Sequence, residues 1–375
     1  MDYNMMPGSK GLKPHELAHK WLKDLGTRPD IRISWDVNPT ICEYWAGLWE
    51  CRARNNPQAS KPGLLPSTVS IIRKLVNDME LSLQEILDWC QTEKKRFWEY
   101  MLYDDMTQRG VSREESFAYM EKIFDTMEQT VKTYRQERLS ASGLVGAEGG
   151  KLETYAKTGN TLCGSFMEEA MITALKMAES NACMRRIVAA PTAGSCGVIP
   201  AVLLPYYEMK QVPKEEILKA LFVTGGIGEV IAQRASISGA EGGCQAEIGS
   251  ASAMAAGALV YLQGGSDEQI CHAAALALKG LLGLVCDPVA GLVEIPCVKR
   301  NVLGCVNAIS CADMAMAGIQ SRIPPDEVID AMQEVGCKMD SAFRETALGG
   351  LAATKTGQEI MHKLMETEED GTITT

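Results

Sequence analysis

Apolar residues between positions 66 and 138 recur at intervals of three and four, and charged residues fill the positions between them. This period predicts two or three amphipathic helices. Ser82 followed by Glu85 predicts a capping box at the start of one helix, and Ser112 predicts the N-cap of another. Five apolar residues of that later helix are predicted to form one stripe that packs into a core: Phe117, Met120, Ile123, Phe124 and Met127.

Glycine, alanine and serine dominate the chain from about residue 139 onward, where charged residues become sparse. Strict alternation of apolar and polar residues is nearly absent, so we expect little β-structure. The predicted fold is therefore mainly α, with a compact Ala/Gly-rich helical domain over residues 139–375 that follows the helical region 66–138. Six helices are predicted in this domain: 166–180, 214–236, 248–263, 267–284, 302–319 and 325–337.

Residues 1–65 have no clear helical or strand period. They carry four of the six tryptophans of the chain: Trp21, Trp35, Trp45 and Trp49. Because large aromatic side chains are strongly apolar, we expect this segment to pack against another surface. We treat it as an N-terminal extension of unknown role.

The overall composition indicates a globular protein. Apolar residues make up 46% of the 375 residues and charged residues 23%, and the formal net charge is −11. Because the chain is acidic and has no long basic run, nucleic acid and anionic membrane are disfavoured as partners. The N-terminus lacks the apolar core of a signal peptide, and no apolar stretch is long enough to span a bilayer. We therefore expect a cytoplasmic protein.

Thirteen cysteines are unusual for a chain without an export signal. Their odd number and the length of the chain argue against a disulfide framework. Most of them are expected to be buried thiols, and a subset could bind metal. The sequence contains no CxxC pair, which disfavours zinc ribbons and bacterial ferredoxin-type cluster sites.

Three of the cysteines lie in glycine- or proline-containing stretches that are predicted to be loops between helices: Cys244, Cys286 and Cys297. If the three thiols converge, they offer three ligands without an obvious fourth. A structural zinc or an electron-transfer cluster normally takes four ligands, whereas a catalytic centre keeps one position open for substrate. The alternative is that the three are buried thiols in an Ala/Gly-rich core, and the spacing alone leaves both interpretations open.

Several long motifs resemble the α subunit of iron–sulfur-dependent L-serine dehydratases. They are APTAGSCGVIPA, SGAEGGCQAEIG and CDPVAGLVEIPCVKRN, in this order along the chain. The intervals between the three cysteines, 42 and 11 positions, are also similar to those of the family. The resemblance extends over roughly residues 70–357 and includes SGLVGAEGGKL and RETALGGLAATKTG.

The resemblance implies a mostly helical catalytic domain that holds a [4Fe–4S] cluster and uses no pyridoxal phosphate. It implies an oxygen-sensitive lyase of amino-acid degradation and gluconeogenesis that converts L-serine to pyruvate and ammonia. Matched motif by motif, the implied cluster ligands are Cys244, Cys286 and Cys297. Cys305 and Cys311 lie outside the matching motif and are predicted to be core thiols.

The substrate-binding residues are less clearly indicated. Lys299 and Arg300 follow a cluster ligand, so they are candidates for binding the substrate carboxylate, or they form a carboxylate-paired helix start. Thr192 and Ser195 are candidates for contacting an anion, or they form a structural turn. His272 is the only histidine of the catalytic region before the C-terminal tail and the default candidate for the base, but a core or surface role is the alternative, and a partner chain could supply the base.

The family pairs this catalytic part with a regulatory β part that carries a Ser-Ser-Ser-His-Thr type of substrate loop. This sequence contains no such loop. We therefore expect a separate β subunit or a homo-oligomer, with a small amino acid as substrate. A related β-eliminating lyase acting on cysteine or threonine, and a non-catalytic metal-binding subunit, are the alternatives. Glu247 and Asp287 lie near the implied ligands and are expected to orient the loops around them.

Overall fold

The computed structural model describes residues 81–369. Within this range the chain folds into thirteen α-helices and no β-strand, so the prediction of a mainly α fold is confirmed. The prediction for residues 1–65 lies outside the described residues. No helix between residues 81 and 369 is both long enough and apolar enough to cross a membrane.

The helices follow one another with short connections. The first seven are α1 (Leu83–Glu93), α2 (Phe97–Arg109), α3 (Arg113–Lys132), α4 (Glu148–Ala156), α5 (Ser165–Ala182), α6 (Val198–Lys210) and α7 (Lys214–Arg234). The remaining six are α8 (Gly239–Gly242), α9 (Ser250–Leu262), α10 (Asp267–Leu281), α11 (Cys297–Met316), α12 (Pro325–Lys338) and α13 (Lys355–Glu369). A single π-helical turn, Gln245–Gly249, leads directly into α9.

The predicted helix caps are present. The hydroxyl of Ser82 accepts a hydrogen bond from the backbone N–H of Glu85 at 3.0 Å, and the Glu85 carboxylate accepts one from the Ser82 N–H at 3.0 Å. Ser112 forms the same reciprocal pair with Glu115 at the start of α3. Each box satisfies two backbone N–H groups that the first helical turn leaves without a partner.

The predicted apolar stripe of α3 packs into the core. Phe117 is half-buried, and its ring centroid lies 5.3 Å from that of Phe222 on α7. The other four residues of the stripe are buried: Met120, Ile123, Phe124 and Met127. The period of three and four therefore identified the correct face of the helix.

Helix α9 forms the centre of the fold. Every residue from Ser250 to Val260 is buried, and α6, α7, α10 and α11 pack around the helix. Its small side chains let these neighbours approach closely. A Cβ atom at Gly257 would lie only 2.2 Å from the Cδ1 atom of Ile227 on α7, so this contact requires glycine. A helix that is apolar on all sides belongs in the interior, which agrees with this position.

Two features of the helix pattern differ from the prediction. Helix α11 begins at Cys297 rather than at 302, so the end of the stretch predicted as a loop is the first turn of a helix. Four helices of this domain were not predicted: α4, α6, the short α8 and α13. Helix α6 contains Pro200 in its first turn and Pro205 in its interior, and prolines at such spacing obscure a helical pattern in the sequence.

Candidate metal centre

The three cysteines lie on three different segments. Cys244 separates α8 from the π-helical turn, Cys286 lies in the loop after α10, and Cys297 is the first residue of α11. All three are buried, with exposed fractions of 2%, 2% and 7%. The preceding Gly243 has a φ of +75°, and a Cβ atom there would lie 2.9 Å from the carbonyl oxygen of Leu284. Glycine therefore permits the backbone turn that brings Cys244 to this position.

Two of the three thiols form a close group with a carboxylate. The Sγ atoms of Cys244 and Cys286 and a carboxylate oxygen of Glu247 all lie within 4.8 Å of one another. Oε2 of Glu247 is 3.8 Å from Sγ of Cys244 and 3.9 Å from Sγ of Cys286. Cys297 is not a member of this closest group, but it is near enough for Cys244 to raise the pKa of its thiol.

The surroundings of Cys286 and Cys297 favour the protonated form of these two thiols. Hydrogen bonding with Cys244, together with burial, raises the pKa of Cys286 well above its usual range. Burial is the main cause that raises the pKa of Cys297 to about 12, and the charges of Cys244 and Glu247 add to it. Metal ligation requires the thiolate, so binding of a cation at this site would release protons.

Glu247 is itself perturbed by its position. Burial raises its pKa to about 7, and the charge of Glu345 acts in the same direction. Hydrogen bonds from Thr192 and Cys244 and the charge of Arg300 oppose this rise. The carboxyl group can therefore be protonated or ionised close to neutral pH, directly beside two thiols.

Gly239 leaves open the space beside this group. A Cβ atom at Gly239 would lie 2.7 Å from Oε2 of Glu247 and 3.0 Å from Sγ of Cys286. Any other residue would therefore push against both the carboxylate and the sulfur. The glycine of the SGAEGG motif is required by this close approach of the backbone to the site.

The side chain of Arg300 donates hydrogen bonds to three groups of the site. Its Nη1 atom donates to Sγ of Cys244 at 3.3 Å and to the carbonyl oxygen of Val285 at 2.7 Å. Its Nη2 atom donates to Oδ1 of Asp287 at 2.8 Å. The sequence indicated a cation here but not which groups it binds, because those groups are distant along the chain.

The segment after α12 is hydrogen-bonded to the backbone of Cys286. The N–H of Cys286 donates to the carbonyl oxygen of Phe343 at 2.8 Å, and the N–H of Glu345 donates to the carbonyl oxygen of Cys286 at 2.8 Å. Oδ2 of Asp287 accepts a hydrogen bond from the N–H of Leu351 at 2.8 Å. The expectation that Glu247 and Asp287 lie close to the cysteines therefore agrees with the structure.

Thr192 and Ser195 lie in a tight turn beside the site. Their hydroxyl oxygens are 3.0 Å apart, and the N–H of Ser195 donates to Oγ1 of Thr192 at 3.3 Å. Ser195 is fully buried, whereas Thr192 is half-buried and close enough to Glu247 to lower the pKa of its carboxyl group. The turn thus places Thr192 near Glu247, and the hydroxyl of Ser195 is used for hydrogen bonds within the turn.

Asn301 was not identified from the sequence, yet it links two parts of the site. Its Nδ2 atom donates to the carbonyl oxygens of Gly194 at 2.8 Å and Cys297 at 3.0 Å. Its Oδ1 atom accepts from the N–H of Gly197 at 2.8 Å, and the residue is 1% exposed. The available signal was its spacing of four from Cys297, which places both on one face of a helix.

Lys299 points to a different set of partners from Arg300. It forms an ion pair with Glu148, the first residue of α4, and its side chain is half exposed. This contact agrees with the carboxylate-paired helix start that the sequence left open.

Glu294, which lies shortly before Cys297 in the sequence, accepts hydrogen bonds from Ser140 at 3.1 Å and Ser142 at 2.5 Å. These bonds fix the 140–146 loop to the segment before Cys297.

The remaining candidates lie in other surroundings. His272 is on α10, where burial lowers its pKa and the nearby charges are those of Glu268 and Lys279. Its Nδ1 atom is buried without a hydrogen-bond partner. Cys305 and Cys311 are 0% and 3% exposed within α11, so the prediction that they are core thiols is confirmed.

Comparisons with known proteins identify relatives over most of the chain. The family described as "Serine dehydratase alpha chain" matches residues 91–352. A probable L-serine dehydratase alpha chain of Bacillus subtilis is 46% identical over 283 residues, which cover 76% of this chain and 94% of that protein. The L-serine dehydratase alpha chain of Peptoniphilus asaccharolyticus is 42% identical over 284 residues, covering 76% and 97%. The L-serine dehydratase TdcG of Escherichia coli is 48% identical over 181 residues, but these cover only 40% of its length.

Proposed function

The chain belongs to the serine dehydratase alpha chain family, and from this membership we propose that it is a lyase that deaminates L-serine to pyruvate and ammonia. The observation that carries the proposal is the group formed by the buried thiols of Cys244 and Cys286 and the partly buried carboxylate of Glu247, inside the matched residues 91–352. Two thiols and a carboxylate in contact form a donor set for a metal centre. Their position within the family region connects this chemistry with the reaction of the relatives.

We assign Cys244, Cys286 and Cys297 as ligands of a [4Fe–4S] cluster. The fit is supported by the three buried thiols, by the close pair among them and by the space that Gly239 leaves beside Cys286. Thiolates are the usual ligands of such clusters. When bound through three protein ligands, the cluster supplies an open iron that acts as a Lewis acid for a departing hydroxyl group.

Side chains around the cysteines are assigned separate roles in this proposal. Oε2 of Glu247 lies within 4 Å of two thiols, and its pKa of about 7 lets it accept or hold a proton there. Its oxygen is therefore within reach of the protons that the thiols release on binding metal. Thr192, close enough to Glu247 to affect the pKa of its carboxyl group, remains our candidate for binding the substrate, whereas Ser195 is engaged in its turn and Lys299 in its ion pair with Glu148.

We propose that a separate β chain completes the active site. Two of the relatives are named alpha chains and are matched over nearly their whole length, whereas TdcG is matched over 40%. The charged neighbours of His272 are Glu268 and Lys279, on its own helix. We therefore assign removal of the Cα proton to a residue of the partner. Proton transfer by a positioned base accelerates a reaction by roughly 10²–10⁴-fold.

The test uses the full chain together with its β chain, purified without oxygen. Iron and sulfide content are measured, electron paramagnetic resonance spectra of the reduced protein are recorded with and without L-serine, and pyruvate formation is followed. Cys244→Ser, Cys286→Ser and Cys297→Ser should each lose the cluster and the activity, while the matched control Cys305→Ser should keep both. L-Threonine and L-cysteine serve as alternative substrates.

Three outcomes would contradict the proposal. Equal loss of iron in Cys305→Ser would refute the ligand assignment. A protein that binds zinc but no iron, with no pyruvate formed in the presence of the β chain, would refute the iron–sulfur lyase. Full activity after prolonged exposure to air would contradict an open iron site, because an exposed iron is easily lost to oxidation.

A further inference from the structure

Arg300 touches every segment that carries a cysteine of the site. It lies three residues after Cys297 on α11, and its Nη1 atom donates to Sγ of Cys244 at 3.3 Å. Through Nη1 and Nη2 it also binds both neighbours of Cys286, at 2.7 Å to the carbonyl oxygen of Val285 and 2.8 Å to Asp287. One guanidinium group therefore connects three stretches that are far apart in the sequence.

The ion pair of Arg300 is largely removed from water. The side chain of Arg300 is 13% exposed and that of Asp287 is 4% exposed. The second oxygen of Asp287 accepts the N–H of Leu351 at 2.8 Å, so the carboxylate is fixed from both sides. A buried guanidinium that donates through two nitrogens to fixed acceptors, Val285 and Asp287, is held in one orientation. Its N–H group is thus directed at the sulfur of Cys244 before any ligand arrives.

We propose that Arg300 is a positioning residue that joins the three cysteine segments and donates a charged hydrogen bond to the sulfur of Cys244 in the loaded site. This inference rests on the proposed function. It gives Arg300 a different role from that of binding the substrate carboxylate. Hydrogen bonds to ligand sulfurs and the partners around metal ligands set the affinity and the reduction potential of a centre.

The experiment compares Arg300→Lys and Arg300→Gln with the wild-type chain in complex with its β chain, all loaded anaerobically with iron and sulfide. Lysine keeps the charge but has one nitrogen, so it cannot reproduce the bonds that Arg300 makes through two nitrogens. Lys299→Gln is the matched control, because it removes the adjacent cation of the same helix, whose partner is Glu148. Circular dichroism of each protein before loading checks the fold.

A further variant covers the case in which a single substitution prevents folding. Loss of Arg300 leaves the Asp287 carboxylate buried without its partner, and such orphaned charges are strongly destabilising. The double variant Arg300→Gln/Asp287→Asn removes both charges and restores a neutral pair. It still lacks the charged hydrogen bond to Cys244, so the same measurements apply to it.

The effect of the Arg300 substitutions on the metal centre is expected in measurements made without substrate. Arg300→Lys and Arg300→Gln should lose iron to a chelator about 10-fold faster or more, within the range known for partners of metal ligands. Arg300→Gln should also show a lower reduction potential, because adding an electron is harder once the positive charge is gone. The double variant should lose iron faster than wild type as well, because the charged hydrogen bond to Cys244 is gone. Lys299→Gln should keep the wild-type rate of iron loss and the wild-type potential.

Other results would overturn the inference. Wild-type iron retention and potential in both Arg300 variants, with a raised KM for L-serine, would assign the residue to the substrate carboxylate instead. Iron loss in Lys299→Gln as fast as in Arg300→Gln would show that removing either positive charge has this effect, and not the loss of the bonds that Arg300 makes. If the wild-type complex itself takes up no iron, the proposed function fails together with this inference, and that result is distinct from the other two.

Discussion

The carboxyl group of Glu229 offers a quantitative test of how the core of this protein responds to pH. Glu229 lies on α7, is 4% exposed and accepts a hydrogen bond from Nε2 of Gln233 at 3.1 Å. Its pKa is raised to about 7, mainly by burial and in part by the charges of Asp104 and Asp105 on α2. Hydrogen bonds from Gln108 and Gln233 act in the opposite direction but do not compensate for the burial.

The direction of the effect follows from the proton balance. The unperturbed pKa of glutamate is 4.5, so between pH 4.5 and about 7 the folded state keeps a proton that the unfolded state has lost. The free energy of unfolding therefore falls as pH rises through this window and levels off above it. At 1.36 kcal/mol per pKa unit, the loss amounts to about 3 kcal/mol. Glutamine has the same shape and no proton to lose, so Glu229→Gln should remove the loss.

The assay is denaturant unfolding of the metal-free chain followed by circular dichroism, at pH 4.5 and at pH 8. The stability difference between Glu229→Gln and wild type should shift in favour of the variant by about 3 kcal/mol from the lower to the higher pH. Glu334→Gln, at an exposed position of α12, is the control and should show no such shift. A difference for Glu229→Gln that stays the same at both pH values would refute the reasoning.

Two further substitutions test the packing and the linkage of the site. Gly257→Ala should destabilise the fold by about 1–3 kcal/mol in thermal unfolding, because the new Cβ atom would meet Ile227. The control is Gly225→Ala in α7, which should not destabilise the fold, because no atom lies within 4 Å of the new methyl group. Equal effects of the two substitutions would contradict the close contact at Gly257. Asn301→Ala should leave buried backbone groups of the Thr192 turn without partners and cost about 1–3 kcal/mol. Asn301→Asp keeps the acceptor for the Gly197 N–H but turns a carboxyl oxygen toward the carbonyl oxygens of Gly194 and Cys297, so at pH 8 it should destabilise the fold at least as much as Asn301→Ala. Wild-type stability in Asn301→Ala would argue against this linkage.

The sequence by itself determined the features that depend on neighbouring residues. Helix caps at Ser82 and Ser112 need only a hydroxyl and a glutamate three residues later, and both formed as predicted. The stripe of α3 depends on the helical period alone. The start of α11 at Cys297 was missed, although it is a local feature, because the glycines and prolines of the preceding stretch favoured a longer loop.

Only the tertiary structure decided how the candidate site is built. The contacts of Arg300 with Cys244 and of Asn301 with Gly194 join residues separated by 56 and 107 positions, and no local pattern specifies such pairs. The raised pKa of Glu247 likewise results from burial and from charges that distant segments supply. Local propensities act over a few residues, whereas the positions and charges of the site result from helix packing around α9. The family motifs point to the three cysteines, and the fold assigns the partners that hold them.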